Sequence, residues 1–189
     1  MSQHLKDMTD YLRRIGIEDV PHTQKTYLAH LIGVYRDLES WHAPDDVCRA
    51  GLFHSIYGTE LFQGFKLPFE RREELRTLIG ARAELLAYVN CVMDRASFDA
   101  GLEQAEGPYR IRDRETGEMI ELSRADYDDL CRVHLCDWAE QMPRSQRWDY
   151  RDAAYRRMAE RLGGVALAAY RQVRALEANQ NARLNEMVT

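Results

Sequence analysis

The chain has 189 residues, 45% of them hydrophobic and 30% charged, with a formal net charge of −5. That length suits one domain with a real core, and the acidic balance gives no electrostatic reason to expect nucleic acid as a partner. No stretch approaches the ~18 apolar residues of a membrane span and the opening residues hold no apolar signal-type run, so a cytoplasmic protein with no membrane partner is expected.

Leu5, Met8, Leu12 and Ile15 recur at helical spacing and predict a first helix over 3–15. Gly16 and Pro21 break it. Tyr27, Leu31, Val34, Leu38 and Trp41 form one stripe, predicting a second helix from about Thr23 to Trp41. Asp45 or Asp46 caps a third, over about 46–57, whose face carries Val47, Ala50, Gly51 and His54. A short helix follows and stops at Gly80; the strongly apolar "ARAELLAYVNCVMDRASF" then reads as one central helix, with Asn90 and Asp94 a turn apart as a buried polar pair. The period changes at 108–122, where alternation on both sides of "ETG" predicts a β-hairpin forming a surface excursion.

Ser123, with Asp126 three residues on, predicts a capped helix that holds "LCRVHLCDWAEQ" and ends near Pro143. Two amphipathic helices, about 149–162 and 164–178, are separated by Gly163-Gly164. The expected architecture is a single all-α domain over 1–189, a helical bundle with a small β-hairpin insertion and a core at about 20–145. Cys48, Cys91, Cys131 and Cys136 show no CxxC spacing and read as reduced core thiols. Trp41, Trp138 and Trp148 read as packing anchors.

Two histidines stand out. His30 lies one position off the stripe of its helix, and His54 falls on the apolar arc of the next, beside Ala50 and Gly51, whose small side chains admit a close neighbour. Asp137 sits four after Val133 and seven after Leu130, so its carboxylate points along an apolar arc; a buried carboxylate is costly unless paired or bound to metal. Two inward histidines and an inward aspartate on three helices suggest a metal centre, while hydrogen-bonded core residues remain the alternative.

"TYLAHLIGVYRDLESWHAPDDVCRAGLFHS" resembles the opening of the HD superfamily of metal-dependent phosphohydrolases, nearest its (p)ppGpp hydrolase branch. Tyr27-x-x-His30 matches the early histidine, "GLFHS" the His-Asp position at His54, and "HLCDWAEQMPR" the segment of the last aspartate, here Asp137. The likeness spans about 20–145, implies an HD-like bundle, and makes His30, His54 and Asp137 the metal ligands, with Asp94 the rival for the last place. Ser55 stands where the superfamily has its paired aspartate, and Tyr57-Gly58 then Thr59-Glu60 where that branch has a Glu-Asp pair. Hydrolysis of (p)ppGpp is therefore not expected.

Two histidines and one carboxylate suit Fe, Mn or Zn and also make the ligand set of non-haem iron oxygenases. The first expectation is a metal-dependent hydrolase of a small phosphorylated or nucleotide-like metabolite, with His22 or Glu60 polarising water and Arg82 and Arg144 steering phosphate. The second is an oxygenase in which Tyr57 hydrogen-bonds the substrate; the third is a non-catalytic ligand- or partner-binding protein. His134, near Asp137, is a candidate to orient it, and Arg82 and Glu84 either pair or line the pocket. The expected partners are a small-molecule substrate and a second copy of the chain in a homodimer.

Overall fold

Apolar residues at three- and four-residue spacing close into helices along most of the chain, described for residues 3–22, 24–145 and 147–188 by a computed structural model, side chains excepted at 22 and 180–188. Helix α1 (Gln3–Arg14) buries Leu5, Met8 and Leu12 on one face. A two-residue hairpin, β1 (Pro21–His22) with β2 (Lys25–Thr26), leads into α2 (Tyr27–Ser40). Thr26 caps α2 by accepting the Ala29 N–H on its hydroxyl, so the helix begins at Tyr27, the first residue of its stripe, and not at about residue 23 as expected; Thr23 itself lies outside the described residues. Strands this short carry no readable period, and the sequence gives no sign of them.

Helix α3 (Asp45–Leu52) starts with Asp45 and Asp46, whose charges suit the positive end of the helix dipole. It ends well before the expected residue 57. Phe53 leaves helical geometry (φ −117°, ψ 12°), and tight turns follow in which Ile56 N–H donates to Phe53 O and Gly58 N–H to Ser55 O. Helix α2 packs on α3, and Gly51 makes the approach close: a Cβ there would fall 2.2 Å from Leu38 Cδ1.

After a 3₁₀ turn at Phe69–Arg71 come α4 (Arg72–Ile79), α5 (Ala81–Val92) and α6 (Arg95–Gly101). The expected single helix over 81–98 is thus two. Met93 turns to extended backbone (ψ 133°), and Asp94 caps α6, its Oδ1 accepting the Ser97 N–H at 2.8 Å. Strands β3 (Tyr109–Arg112) and β4 (Met119–Leu122) pair antiparallel, Tyr109 opposite Leu122. This hairpin is no surface excursion: Tyr109, Ile111 and Leu122 are buried, and Tyr109 stacks on Tyr127 with centroids 4.1 Å apart.

Helix α7 (Arg124–Ser145) begins with the expected capping box, Asp126 N–H donating to Ser123 Oγ at 3.1 Å and Ser123 Oγ to Asp126 Oδ2 at 2.6 Å. It packs against α2, α3, α5, α8 (Asp152–Leu162) and α9 (Gly164–Val188), so it is buried on several sides and is the centre of the bundle. Helix α9 runs past the expected residue 178. All four cysteines are buried and unbridged. Among the described residues no helix is long and apolar enough to cross a membrane.

Candidate metal centre

Three helices bring His30, His54 and Asp137 to one point. His30 projects from α2, His54 follows the end of α3, and Asp137 comes from α7; both histidines are buried and Asp137 is mostly so. His30 Nε2 lies 3.2 Å from Asp137 Oδ1, His54 Nε2 lies 3.3 Å from the same oxygen, and the two Nε2 atoms are 3.3 Å apart. These atoms form a nearly equilateral triangle able to share one ion. The point equidistant from them lies about 1.9 Å from each within their plane, so ligand bonds of about 2.0–2.2 Å are reached a short step off it.

The other ring nitrogens strengthen that fit. His54 Nδ1 is 2.8 Å from Gly51 O, which can only accept, so Nδ1 carries the proton and Nε2 presents a lone pair. His30 Nδ1 is 2.6 Å from Glu140 Oε2, and the same argument frees its Nε2. Three electron-rich atoms then face one another, an arrangement that needs a proton or a metal cation between them. Burial by itself would raise the Asp137 carboxyl, but His54 and His30 hold it well below the usual carboxylate range. Burial opposes charge on His30, yet its bonds to Asp137 and Glu140 raise its pKa above 6.5. A histidine that donates its second N–H to a carboxylate is the usual surrounding of a metal ligand.

The triangle opens on a cavity of about 540 Å³ lined by His54, Ser55 and Asp137 and by Arg95, Arg144 and Arg147. Among the described residues Asp137 is the one carboxylate on the wall itself, while Arg144 is paired with Glu140 and Arg95 lies 3.9 Å from Glu60; the guanidiniums supply hydrogen-bond donors suited to an anionic group. Phe62, Trp138, Tyr150 and Tyr155 supply the apolar part of the wall.

The remaining expected site residues fall in different places. Ser55 lines the cavity, its Oγ 2.8 Å from Tyr27 Oη, and is not part of the triangle. Arg144 lines the cavity and donates to Glu140 Oε2 at 2.6 Å. Tyr57 is fully buried away from the cavity and donates to Glu84 Oε1 at 3.0 Å, because α3 ends before the helical spacing could carry it to the side of His54. Glu60 is exposed and accepts the Arg95 N–H at 3.3 Å, outside the cavity wall.

Asp94 caps α6 and is no rival to Asp137. Arg82 binds Asp46, Asp126 and Asp129 at 2.7–2.9 Å, pinning α3, α5 and α7 together away from the cavity; Glu84 pairs instead with Arg72 and Arg76. His134 makes no hydrogen bond to Asp137; its ring is held by Asn90 and Arg151. The side chain of His22 lies outside the described residues.

Two functional neighbours escape the sequence reading. Glu140 holds His30, and Gln141 donates to Asp137 Oδ1. Glu140 had a signal, since it follows Asp137 by three residues and shares its helical face. Gly33 makes room for it: a Cβ there would meet Glu140 Oε1 at 2.8 Å.

Residues 11–95 match a family model described only as a domain of unknown function, DUF6817. That span runs from α1 to the first residue of α6 and so contains His30 and His54 but not Asp137. No curated protein and no solved structure matches the chain.

Proposed function

We propose that the chain is a hydrolase on an HD-like helical scaffold that depends on one divalent ion (Fe, Mn or Zn) and acts on a small phosphorylated or nucleotide-like metabolite. The observation that carries this reading is the triangle of His30 Nε2, His54 Nε2 and Asp137 Oδ1, with edges of 3.2–3.3 Å, at the wall of an arginine-bearing cavity. A divalent ion bound there would acidify a coordinated water toward pKa ~7 and polarise a substrate oxygen. Glu140 and the Gly51 carbonyl fix the tautomers of the two histidines, and Gln141 steadies Asp137. Arg95, Arg144 and Arg147 hold the anion, and the aromatic wall excludes water from its less polar part. The test is metal analysis of the purified chain followed by phosphate release from p-nitrophenyl phosphate with Mn²⁺ or Zn²⁺. Release that disappears in His54→Ala supports the hydrolase.

The ligand set itself favours a second reading. Two histidines and one carboxylate, with Ser55 outside the triangle, match the composition of non-haem iron oxygenase centres. Iron retained under anaerobic purification, with oxygen uptake and no phosphate release, would favour it. A metal-loaded chain that does neither would be a binding protein on the same scaffold.

A further inference from the structure

His134 is 1% exposed, yet both its ring nitrogens are engaged. Nε2 is 2.8 Å from Arg151 Nη1, and Nδ1 is 3.1 Å from Asn90 Oδ1. A guanidinium only donates, so Nε2 must accept and Nδ1 must carry the proton. That proton goes to Asn90 Oδ1, which orients the amide so that Asn90 Nδ2 donates to the His54 carbonyl at 2.7 Å. Every donor in the series therefore has one acceptor and one direction: Arg151 to His134, His134 to Asn90, Asn90 to His54 O.

We propose that His134 is a positioning residue: through Asn90 it holds the main chain of His54 and so aims that imidazole at the metal position. The proposal rests on the metal reading above. Residue 54 is then fixed at both ends, its carbonyl by α5 through Asn90 and the Cys91 thiol (3.2 Å), and its ring by the Gly51 carbonyl. The far end of the relay is equally anchored. Arg151 binds both oxygens of Asp99 on α6, and its backbone sits in the left-handed region at φ +49°, a conformation that a non-glycine residue keeps only where the surrounding contacts enforce it. Burial, with Arg151 and Arg95 nearby, keeps His134 neutral, as an acceptor at Nε2 requires. Tyr155, four residues along from Arg151, lines the cavity and stacks on the His134 ring at 15°. One imidazole thus sets both a ligand and a wall of the same site.

Three variants of the full chain test this, with Co²⁺ as the probe. His134→Phe keeps a ring against Tyr155 and removes both nitrogens, Asn90→Leu removes the donor to His54, and His134→Asn keeps a donor facing Asn90. Co²⁺ affinity, measured by chelator competition, is expected to fall about 10–100-fold in the first two. Their visible Co²⁺ bands should shift, and His134→Asn should recover most of the affinity. A purely structural role would lower the melting temperature and leave the bands in place. Folded variants that bind Co²⁺ as the wild type does would overturn the proposal.

Long-range ¹H–¹⁵N spectra of the wild-type imidazoles give a readout that needs no variant to fold: His134 must be neutral with its proton on Nδ1, and an Nε2–H or charged ring refutes the relay. A wild type that takes up no Co²⁺ would overturn the metal reading. The relay is then decided in the metal-free chain by whether the His54 ring-nitrogen shifts move in Asn90→Leu or stay as they were.

Discussion

Glu140 Oε2 lies 2.6 Å from both His30 Nδ1 and Arg144 Nη2, so one carboxylate oxygen joins a proposed metal ligand to a cavity arginine. Lys25 binds the other oxygen. Burial raises the Glu140 carboxyl, but His30, Lys25 and Arg144 bring it down to about 2, and it stays anionic. An anionic acceptor on Nδ1 makes Nε2 a stronger base and fixes the ring.

Glu140→Gln keeps the shape and removes that charge. Metal affinity is expected to fall about 10–100-fold, read by competition with a chromophoric chelator. An affinity equal to wild type would reduce Glu140 to a packing partner of Lys25 and Arg144.

Gly33→Ala approaches the same contact from the opposite helix. Alanine favours a helix over glycine by up to about 1 kcal/mol, yet its Cβ would meet Glu140 Oε1 at 2.8 Å. Glu140 must then swing away from His30. The expected result is weaker metal binding in a chain that still folds, read by the same chelator competition; wild-type affinity would show that Glu140 keeps its place on His30 despite the added methyl.

The residues of the triangle are legible in the sequence because they break its patterns. His30 sits one place off an apolar stripe, and Asp137 puts a charge on an apolar arc. Tyr57 is misleading for the complementary reason. Three residues after His54 places it at the site only if the helix continues, and the backbone leaves the helix at Phe53. Arg82 looks like a phosphate-steering residue because nothing in its neighbourhood announces Asp46, Asp126 and Asp129, which reach it only across the fold. The role of Glu140 is not legible in the sequence, since a glutamate four before an arginine usually means a surface pair.

A proton and the proposed metal ion would compete for His30. Its raised pKa means that the charged ring stabilises the metal-free chain fully below 6.5 and that this contribution is lost as pH rises through the raised value. Metal needs the neutral ring, so its stabilisation runs the other way. Melting curves with and without Zn²⁺ should show little gain at about pH 5.5 and a growing gain toward about pH 8. A gain independent of pH would place the ion elsewhere.

Tyr57→Phe separates structure from chemistry at the position most easily mistaken for a site residue. The phenol donates to Glu84, a fully buried carboxylate that also accepts from Arg72 at 2.7 and 3.0 Å and from Arg76 at 3.4 Å. Removing one donor of several leaves Glu84 still paired, so the loss should be about 1–2 kcal/mol. Glu84→Ala takes the shared acceptor from Arg72 and Tyr57, while Arg76 keeps Glu73, and should cost more than Tyr57→Phe. Both variants, below their lowered melting temperatures, should bind metal as the wild type does. A folded Tyr57→Phe chain with weakened metal binding or turnover would return Tyr57 to the site, because its hydrogen bond to Glu84 gives no route for such an effect.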